Sequence, residues 1–292
     1  MQTGIIPVFS EIDAYSNACH EARAHGQRVA IVPTMGALHD GHFALVREAR
    51  RRAQFVAVSV FVNPTQFAQG EDLDAYPRTL DRDVEGCSLA GASCVFAPCD
   101  GAMYPHGEQT RVRVGGLSEP LCGLSRKGHF DGVATIVAKL LIITGPCLAV
   151  FGRKDYQQLK IIERLTADLL LPAEIIGHPT VRESDGLAMS SRNRYLNNDE
   201  RKRASNLSRA LRCAMLAFNK GERRVSAILA AATDGLGTAS DAIEYIEVAD
   251  ADTLRPFGLD ETISDRALIA LAARIGQARL IDNAVLGEDD PL

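Results

Sequence analysis

The stretch from Val29 to His42 constrains this chain more than any other. Val29-Ala30-Ile31-Val32 reads as a buried strand that ends at Pro33. A glycine-containing loop follows, Thr34-Met35-Gly36-Ala37-Leu38-His39-Asp40-Gly41-His42. A helix then starts near Gly41, with Asp40 as its cap and Val46, Ala49 and Ala53 on its apolar face. His39 and His42 therefore sit between a strand C-terminus and a helix N-terminus. Backbone N–H groups and the positive end of the helix dipole favour an anion there. Two imidazoles add donors for a phosphate gathering negative charge, and Gly41 lets a flat base approach the backbone. The alternative is a tight turn with two exposed histidines.

The rest of the first 180 residues repeats the strand–helix rhythm. Ser10 to Asp13 fits a loose capping box for a helix that stops at Gly26. Gln54 to Val62 reads as a strand buried on both faces, ending in Asn63-Pro64-Thr65-Gln66-Phe67. Thr79 to Ala90 reads as a helix, Ser93 to Ala97 as a strand, and the Gly/Pro-rich section Pro98 to Gly128 as mostly loop. Phe130 to Ile143 has helical spacing. Leu148 to Phe151 is a strand that runs into Gly152-Arg153-Lys154-Asp155 and a helix to Leu170, and Glu174 to Ile176 is the last strand. Such alternation implies a doubly wound, parallel, Rossmann-like sheet of the α/β class, whose ligands bind outside the strand C-termini. The polar clusters fall at those ends: Thr34, His39 and His42; Asn63 and Gln66; Lys154 and Asp155.

Beyond Thr180 the character changes. Asp199 to Lys220 reads as one amphipathic helix and a second starts at Ser226; Ala242 to Val248, Ala267 to Arg274 and Arg279 to Leu286 read as strands. The expected organisation is thus a Rossmann-like domain over residues 1–180 and a smaller α+β domain over 181–292. At the border, Met189-Ser190-Ser191-Arg192 offers two hydroxyls and a guanidinium fork, groups suited to a polyphosphate.

Composition narrows the partners. The chain has 292 residues, 46% apolar and 24% charged, with a net charge of −5 that argues against a nucleic-acid-coating surface. Its seven cysteines form no C-x-x-C pair, so a reduced, cytoplasmic setting is expected and a zinc site is not. Neither a signal segment nor a membrane span is evident, because Gly145-Pro146 interrupts the apolar stretch from Leu140 to Val150.

His39-Asp40-Gly41-His42 resembles the His-x-Gly-His signature of the nucleotidyltransferase superfamily. The fuller string from Val32 to His42 is similar to that of the pantothenate synthetase family. Gly152-Arg153-Lys154-Asp155-Tyr156-Gln157-Gln158 resembles the family's Gly-Glu-Lys-Asp-(Phe/Tyr)-Gln-Gln, with Arg153 in place of the usual Glu. Gly128-His129-Phe130-Asp131-Gly132-Val133 resembles its Gly-His-Phe-x-Gly-Val, with Asp131 at the variable place. Met189 to Arg192 resembles the superfamily's Lys-Met-Ser-Lys-Ser loop, with Ala188 where the first Lys stands.

The resemblance implies an AMP-forming ligase that joins (R)-pantoate to β-alanine through pantoyl adenylate, with ATP as substrate, Mg²⁺ accompanying it, and a homodimer in the cytoplasm. On it, His39, His42 and Lys154 are the catalytic candidates. Met35, Gly36, Ala37, Leu38, Asp40, Gly41, Gly152, Arg153, Asp155 and Val181 frame the nucleotide, although no specific role passes to Arg153. Lys154, Met189, Ser190, Ser191 and Arg192 hold its phosphates. Gln66 and Gln158 orient pantoate, since a neutral amide both donates and accepts, and Gln66 also meets β-alanine. Asp81 and Asp83 are the candidates for Mg²⁺, although acids two apart do not share a helix face. Two other enzymes compete: a nucleotidyltransferase that leaves AMP on a phosphorylated acceptor, and an aminoacyl-tRNA synthetase. A catalytically dead nucleotide-binding regulator is the non-enzymatic alternative.

Overall fold

Short runs of valine, isoleucine and alanine become the strands of one parallel sheet. The computed structural model describes residues 6–68, 71 and 73–290; the first residues, on which the expected absence of a signal segment partly rests, lie outside them. The strands are β1 (Val8–Phe9), β2 (Val29–Thr34), β3 (Phe55–Val60), β4 (Cys94–Phe96), β5 (Cys147–Gly152) and β6 (Ala173–His178). They lie in the order β1-β4-β3-β2-β5-β6, and every neighbouring pair is parallel. Helices α1 (Ile12–Ala24), α2 (Asp40–Arg52), α3 (Leu80–Ala90), the single turns α4 (Asp100–Met103) and α5 (Cys122–Ser125), α6 (His129–Thr144) and α7 (Tyr156–Asp168) fill the connections. Ala30 and Val32 of β2 pack in one buried cluster with Leu45, Val46 and Ala49 of α2 and Val84 and Cys87 of α3. Side chains alternate along a strand, and Ile31, between those two, is equally buried, so both faces of the sheet are covered. This is the doubly wound α/β architecture that the alternating pattern predicts.

Strand order reverses between β2 and β5. Their pairing covers only Ala30↔Leu148 and Ile31↔Ala149, so beyond Ile31 strand β2 is paired on the β3 side alone. That is why β2 does not end at Pro33 as expected: with one ladder instead of two, a residue lacking an N–H is tolerated, and the strand runs on to Thr34. A reversal of this kind is where open α/β sheets place ligands.

Two other expected helix starts differ. His39, not Asp40, caps α2: its extended backbone (φ −139°) receives the first helical bonds, His42 N–H to His39 C=O at 2.8 Å and Phe43 N–H at 3.1 Å. Helix α1 begins at Ile12 without a side-chain cap, because the Ser10 hydroxyl turns to the Glu11 carboxylate. The edge strand β1 is two residues long, too short for any periodicity to reveal.

The second unit has its own core. Helices α8 (Asn198–Ala204), α9 (Asn206–Asn219) and α10 (Val225–Leu236) precede an antiparallel sheet of β7 (Ala242–Ala249), β8 (Ala267–Ile275) and β9 (Ala278–Leu286). Leu207, Leu211, Met215 and Phe218 of α9 pack with Ile228 and Leu236 of α10 and with Ile269, Leu271 and Leu280 of the sheet. The single helix expected from Asp199 to Lys220 is broken at Ser205, whose hydroxyl bonds back to the Lys202 carbonyl. Asn197 opens α8 with a reciprocal cap: its oxygen accepts the Glu200 N–H, and Glu200 accepts the Asn197 N–H.

The first unit comprises Met1–Ser118, Arg126–Arg153 and Gln158–Pro179, and the second Glu119–Ser125, Lys154–Gln157 and Thr180–Leu292. Two short segments thus group with the second unit rather than with the continuous 1–180 stretch expected. Polar anchors explain it. Gln157 accepts the Cys122 N–H and donates to the Pro120 carbonyl, and the Tyr156 hydroxyl donates to the Ala251 carbonyl. Among the described residues, no helix is long and apolar enough to cross a membrane.

Candidate active site

The loop after β2 is held by an internal acid. Gly36 (φ +81°) and Ala37 (φ +52°) both take left-handed backbone, and a side chain at Gly36 would meet Val60 and the Asp83 carboxylate. For an alanine that conformation is strained, so the surroundings must impose it. Asp83, 1% exposed on α3, does so: its two oxygens accept the Ala37 N–H at 3.0 Å and the Leu38 N–H at 2.8 Å. The Thr79 hydroxyl reaches both oxygens at 3.2 Å. Of the two Mg²⁺ candidates, Asp83 thus turns its oxygens inward onto the loop, while Asp81 sits exposed in the first turn of α3. Among the described residues, no three His, Cys, Asp or Glu side chains are grouped to hold a metal.

The held loop delivers His39 and His42 together, their ring centroids 4.1 Å apart. The His39 backbone N–H lies 3.3 Å from His42 Nδ1. A backbone N–H only donates, so Nδ1 is the acceptor and the neutral ring carries its proton on Nε2. His39 thus caps α2 and His42 stands in its first turn, where the helix dipole favours an anion.

The loop after β3 is a 3-10 turn, Pro64–Gln66, entered from the fully buried Asn63. Gln66 Nε2 lies 3.0 Å from Met35 Sδ, so this candidate for the acid touches a candidate for the nucleotide. The Gln66 backbone is clamped as well. Arg126 pairs through two nitrogens with Glu71 (2.6 and 2.7 Å) and donates to His129 Nε2 at 2.8 Å. Arginine has no acceptor, so His129 carries its proton on Nδ1, which donates to the Gln66 carbonyl at 2.7 Å. Burial pushes the Glu71 carboxyl up, but its bonds to Arg126 outweigh this and hold it below its ordinary value.

Strand β5 ends at Gly152, beside β2 in the sheet. A 3-10 turn, Arg153–Asp155, continues from it into α7, on which Gln158 lies in the third position. The stem of Arg153 packs against Gly177 of β6. Lys154 Nζ is 3.9 Å from the Asp155 carboxylate, and the Lys154 carbonyl is held by Asn283 Nδ2 at 2.6 Å.

In the second unit, Val181 and Met189 meet through a backbone bond, Met189 N–H to Val181 C=O at 2.9 Å. Ser190 caps a 3-10 turn over Ser191–Tyr195 by accepting the Arg192 N–H at 3.3 Å. The base of this loop is braced by Arg182, which forks onto the buried Asp282 at 2.7 and 3.0 Å, and by Arg201, which bridges Glu183 and Asp185. Sequence reasoning found the loop and missed its braces. It also missed Asp83 as the holder of the loop after β2, and the Glu71–Arg126–His129 clamp. The clamp is formed by residues up to 58 positions apart (Glu71 to His129), a separation that no local pattern reports.

Among known proteins, a family described as pantoate-beta-alanine ligase matches residues 7–285. A pantothenate synthetase of Syntrophotalea carbinolica is 48% identical over 283 residues, which are 97% of this chain and 99% of that one. The crystal structure of a pantoate-beta-alanine ligase from Thermus thermophilus superposes with a TM-score of 0.89 at 44% identity, covering 96% of this chain and 99% of that one. A Francisella tularensis pantoate-beta-alanine ligase, complexed with beta-gamma ATP and beta-alanine, gives 0.78 at 31% identity, covering 98% and 100%.

Proposed function

The chain belongs to the pantoate-beta-alanine ligase family, and from that premise we infer that it condenses (R)-pantoate with β-alanine at the expense of ATP. The match over residues 7–285 carries the reading. The pantoate carboxylate attacks the α-phosphate of ATP, giving pantoyl adenylate and pyrophosphate. The amine of β-alanine then attacks the acyl carbon, and AMP leaves. No protein group need become covalent, so the work is positioning and charge stabilisation.

The residue roles follow from the resemblance and from the local geometry. The His42 Nε2–H and the His39 ring are assigned to the α-phosphate, at the N-terminus of α2. Met35 to Gly41, with Gly152, Asp155 and Val181, frame the nucleotide. Lys154, Met189, Ser190, Ser191 and Arg192 take the pyrophosphate. Gln66 and Gln158 orient pantoate, and Gln66 also meets β-alanine. Residues 1–180 are proposed as the nucleotide- and pantoate-binding domain and 181–292 as the smaller domain carrying the Met-Ser-Ser-Arg loop. Magnesium accompanies ATP as the counter-ion of its phosphates. A homodimer acting in the cytoplasm completes the proposal, and light scattering tests the dimer.

The deciding assay supplies ATP, pantoate and β-alanine. Pantothenate, AMP and pyrophosphate should form in equal amounts and only when all three substrates are present. ADP as the product, or no turnover by folded protein, would overturn the reading.

A further inference from the structure

Asn63 is 1% exposed, and its amide uses its full hydrogen-bonding capacity. Nδ2 lies 3.2 Å from the Gly132 carbonyl and 3.0 Å from Gln66 Oε1. Oδ1 lies 2.7 Å from the Tyr104 hydroxyl and 2.9 Å from the Thr65 hydroxyl. The Gly132 carbonyl can only accept, so it fixes which way the Asn63 amide faces. That in turn fixes Gln66, whose Oε1 must meet Asn63 Nδ2. The opposite end of the Gln66 amide, Nε2–H, is directed to Met35 Sδ at 3.0 Å. A thioether is a weak acceptor, and a carboxylate or hydroxyl oxygen displaces it readily.

Tyr104 is built to keep this arrangement. Lys139 sits over its ring at 4.2 Å from the centroid and also donates to the Met103 carbonyl. Burial pushes its hydroxyl up, so it stays a donor. Helix α6 comes so close to the turn that a side chain at Gly132 would lie 2.4 Å from the Thr65 carbonyl. The carbonyl that sets the relay is thus held at a position where only glycine fits.

We propose that Tyr104 and Thr65 are positioning residues for the acid substrate. Acting through Asn63, they hold the Gln66 amide with its N–H outward, so that Gln66 meets pantoate as a donor to an oxygen that only accepts. This rests on the reading of Gln66 as a pantoate contact. It adds that the polarity of that contact is set from behind, by two hydroxyls together with the Gly132 carbonyl. Losing one hydroxyl leaves Asn63 Oδ1 with the other. Losing both leaves a buried carbonyl with no donor, and the Gly132 carbonyl alone then opposes rotation of the amide.

Steady-state kinetics on Tyr104→Phe, Thr65→Val, the double variant and Gln66→Ala test the proposal. Each single hydroxyl variant should raise the pantoate KM by about threefold to tenfold, the worth of one hydrogen bond. The double variant should exceed the product of the two, because both act on one atom. KM for ATP should stay unmoved, a split that general loosening of the fold does not produce. A pantoate KM unchanged in both single variants, or ATP and pantoate KM rising together, overturns the proposal whether or not the double variant folds. Gln66→Ala separates the two levels: an unchanged pantoate KM there overturns the reading of Gln66 itself. A raised one, with normal kinetics in the hydroxyl variants, overturns only the relay.

Discussion

Asp83→Ala is the perturbation whose size the structure states best. The carboxylate is 1% exposed and accepts two backbone N–H groups, from Ala37 at 3.0 Å and Leu38 at 2.8 Å. Removing it strands two donors, each at a cost of about 1–3 kcal/mol. Relaxation of Ala37 from its left-handed backbone returns about 1 kcal/mol of strain. The net loss should be about 1–5 kcal/mol of folding stability, measured by urea denaturation. Function should fall further than stability, because the released segment carries His39 and His42. ATP–pyrophosphate exchange with pantoate, measured where the variant is fully folded, should drop about 10²-fold. Asp83→Asn should lie between, since one carboxamide oxygen still accepts while its NH₂ confronts the second N–H. Wild-type stability and exchange in Asp83→Ala would refute the argument. Wild-type stability with lost exchange would instead favour Asp83 as a holder of Mg²⁺.

His42→Ala should slow the adenylation half-reaction by about 10²-fold or more while leaving the fold intact, checked by exchange kinetics beside a thermal melt. Lys154→Ala should impair the first half-reaction far more than the second, which is measured by supplying preformed pantoyl adenylate; equal loss in both halves would place Lys154 elsewhere. The Glu71 carboxyl is held below its ordinary value, so the clamp contributes stability above the carboxyl's unfolded pKa and loses it as pH falls through the folded value. Stability of the wild type should therefore decline more steeply in acid than that of Glu71→Gln, and parallel pH profiles would remove the clamp from the account.

Much of this was legible because it was local. Three polar clusters at the ends of three apolar runs pointed to one edge of a parallel sheet, and β3, β2 and β5 are indeed adjacent. Every long helix of the first unit was expected near where it stands, α2 and α6 from their apolar spacing and α1 from its cap and its glycine stop. What stayed hidden depends on partners distant in the chain. Pro33 reads as a strand stop until the missing β5 partner shows why the strand survives it. Asp83 reads as a helix-surface acid, or half of a metal pair, until the loop 45 residues upstream of it (Leu38) turns its N–H groups inward. Ser205 breaks a helix whose apolar spacing continues across the break, because a hydroxyl competing for a backbone carbonyl leaves no trace in hydrophobic pattern. Gln157 and Tyr156 sit inside a recognisable motif yet serve as anchors for the second unit, a distinction that motif matching does not make.

The central claim is that pantoate's carboxylate attacks the α-phosphate, and isotope transfer tests it most directly. One carboxylate oxygen then bridges carbon and phosphorus in the adenylate, and it departs with AMP when the amine attacks the carbon. Pantoate labelled with ¹⁸O in its carboxylate, turned over with ATP and β-alanine, should yield AMP carrying one labelled oxygen and pyrophosphate carrying none. Label in inorganic phosphate, with ADP as the nucleotide product, would show attack at the γ-phosphate and contradict the account.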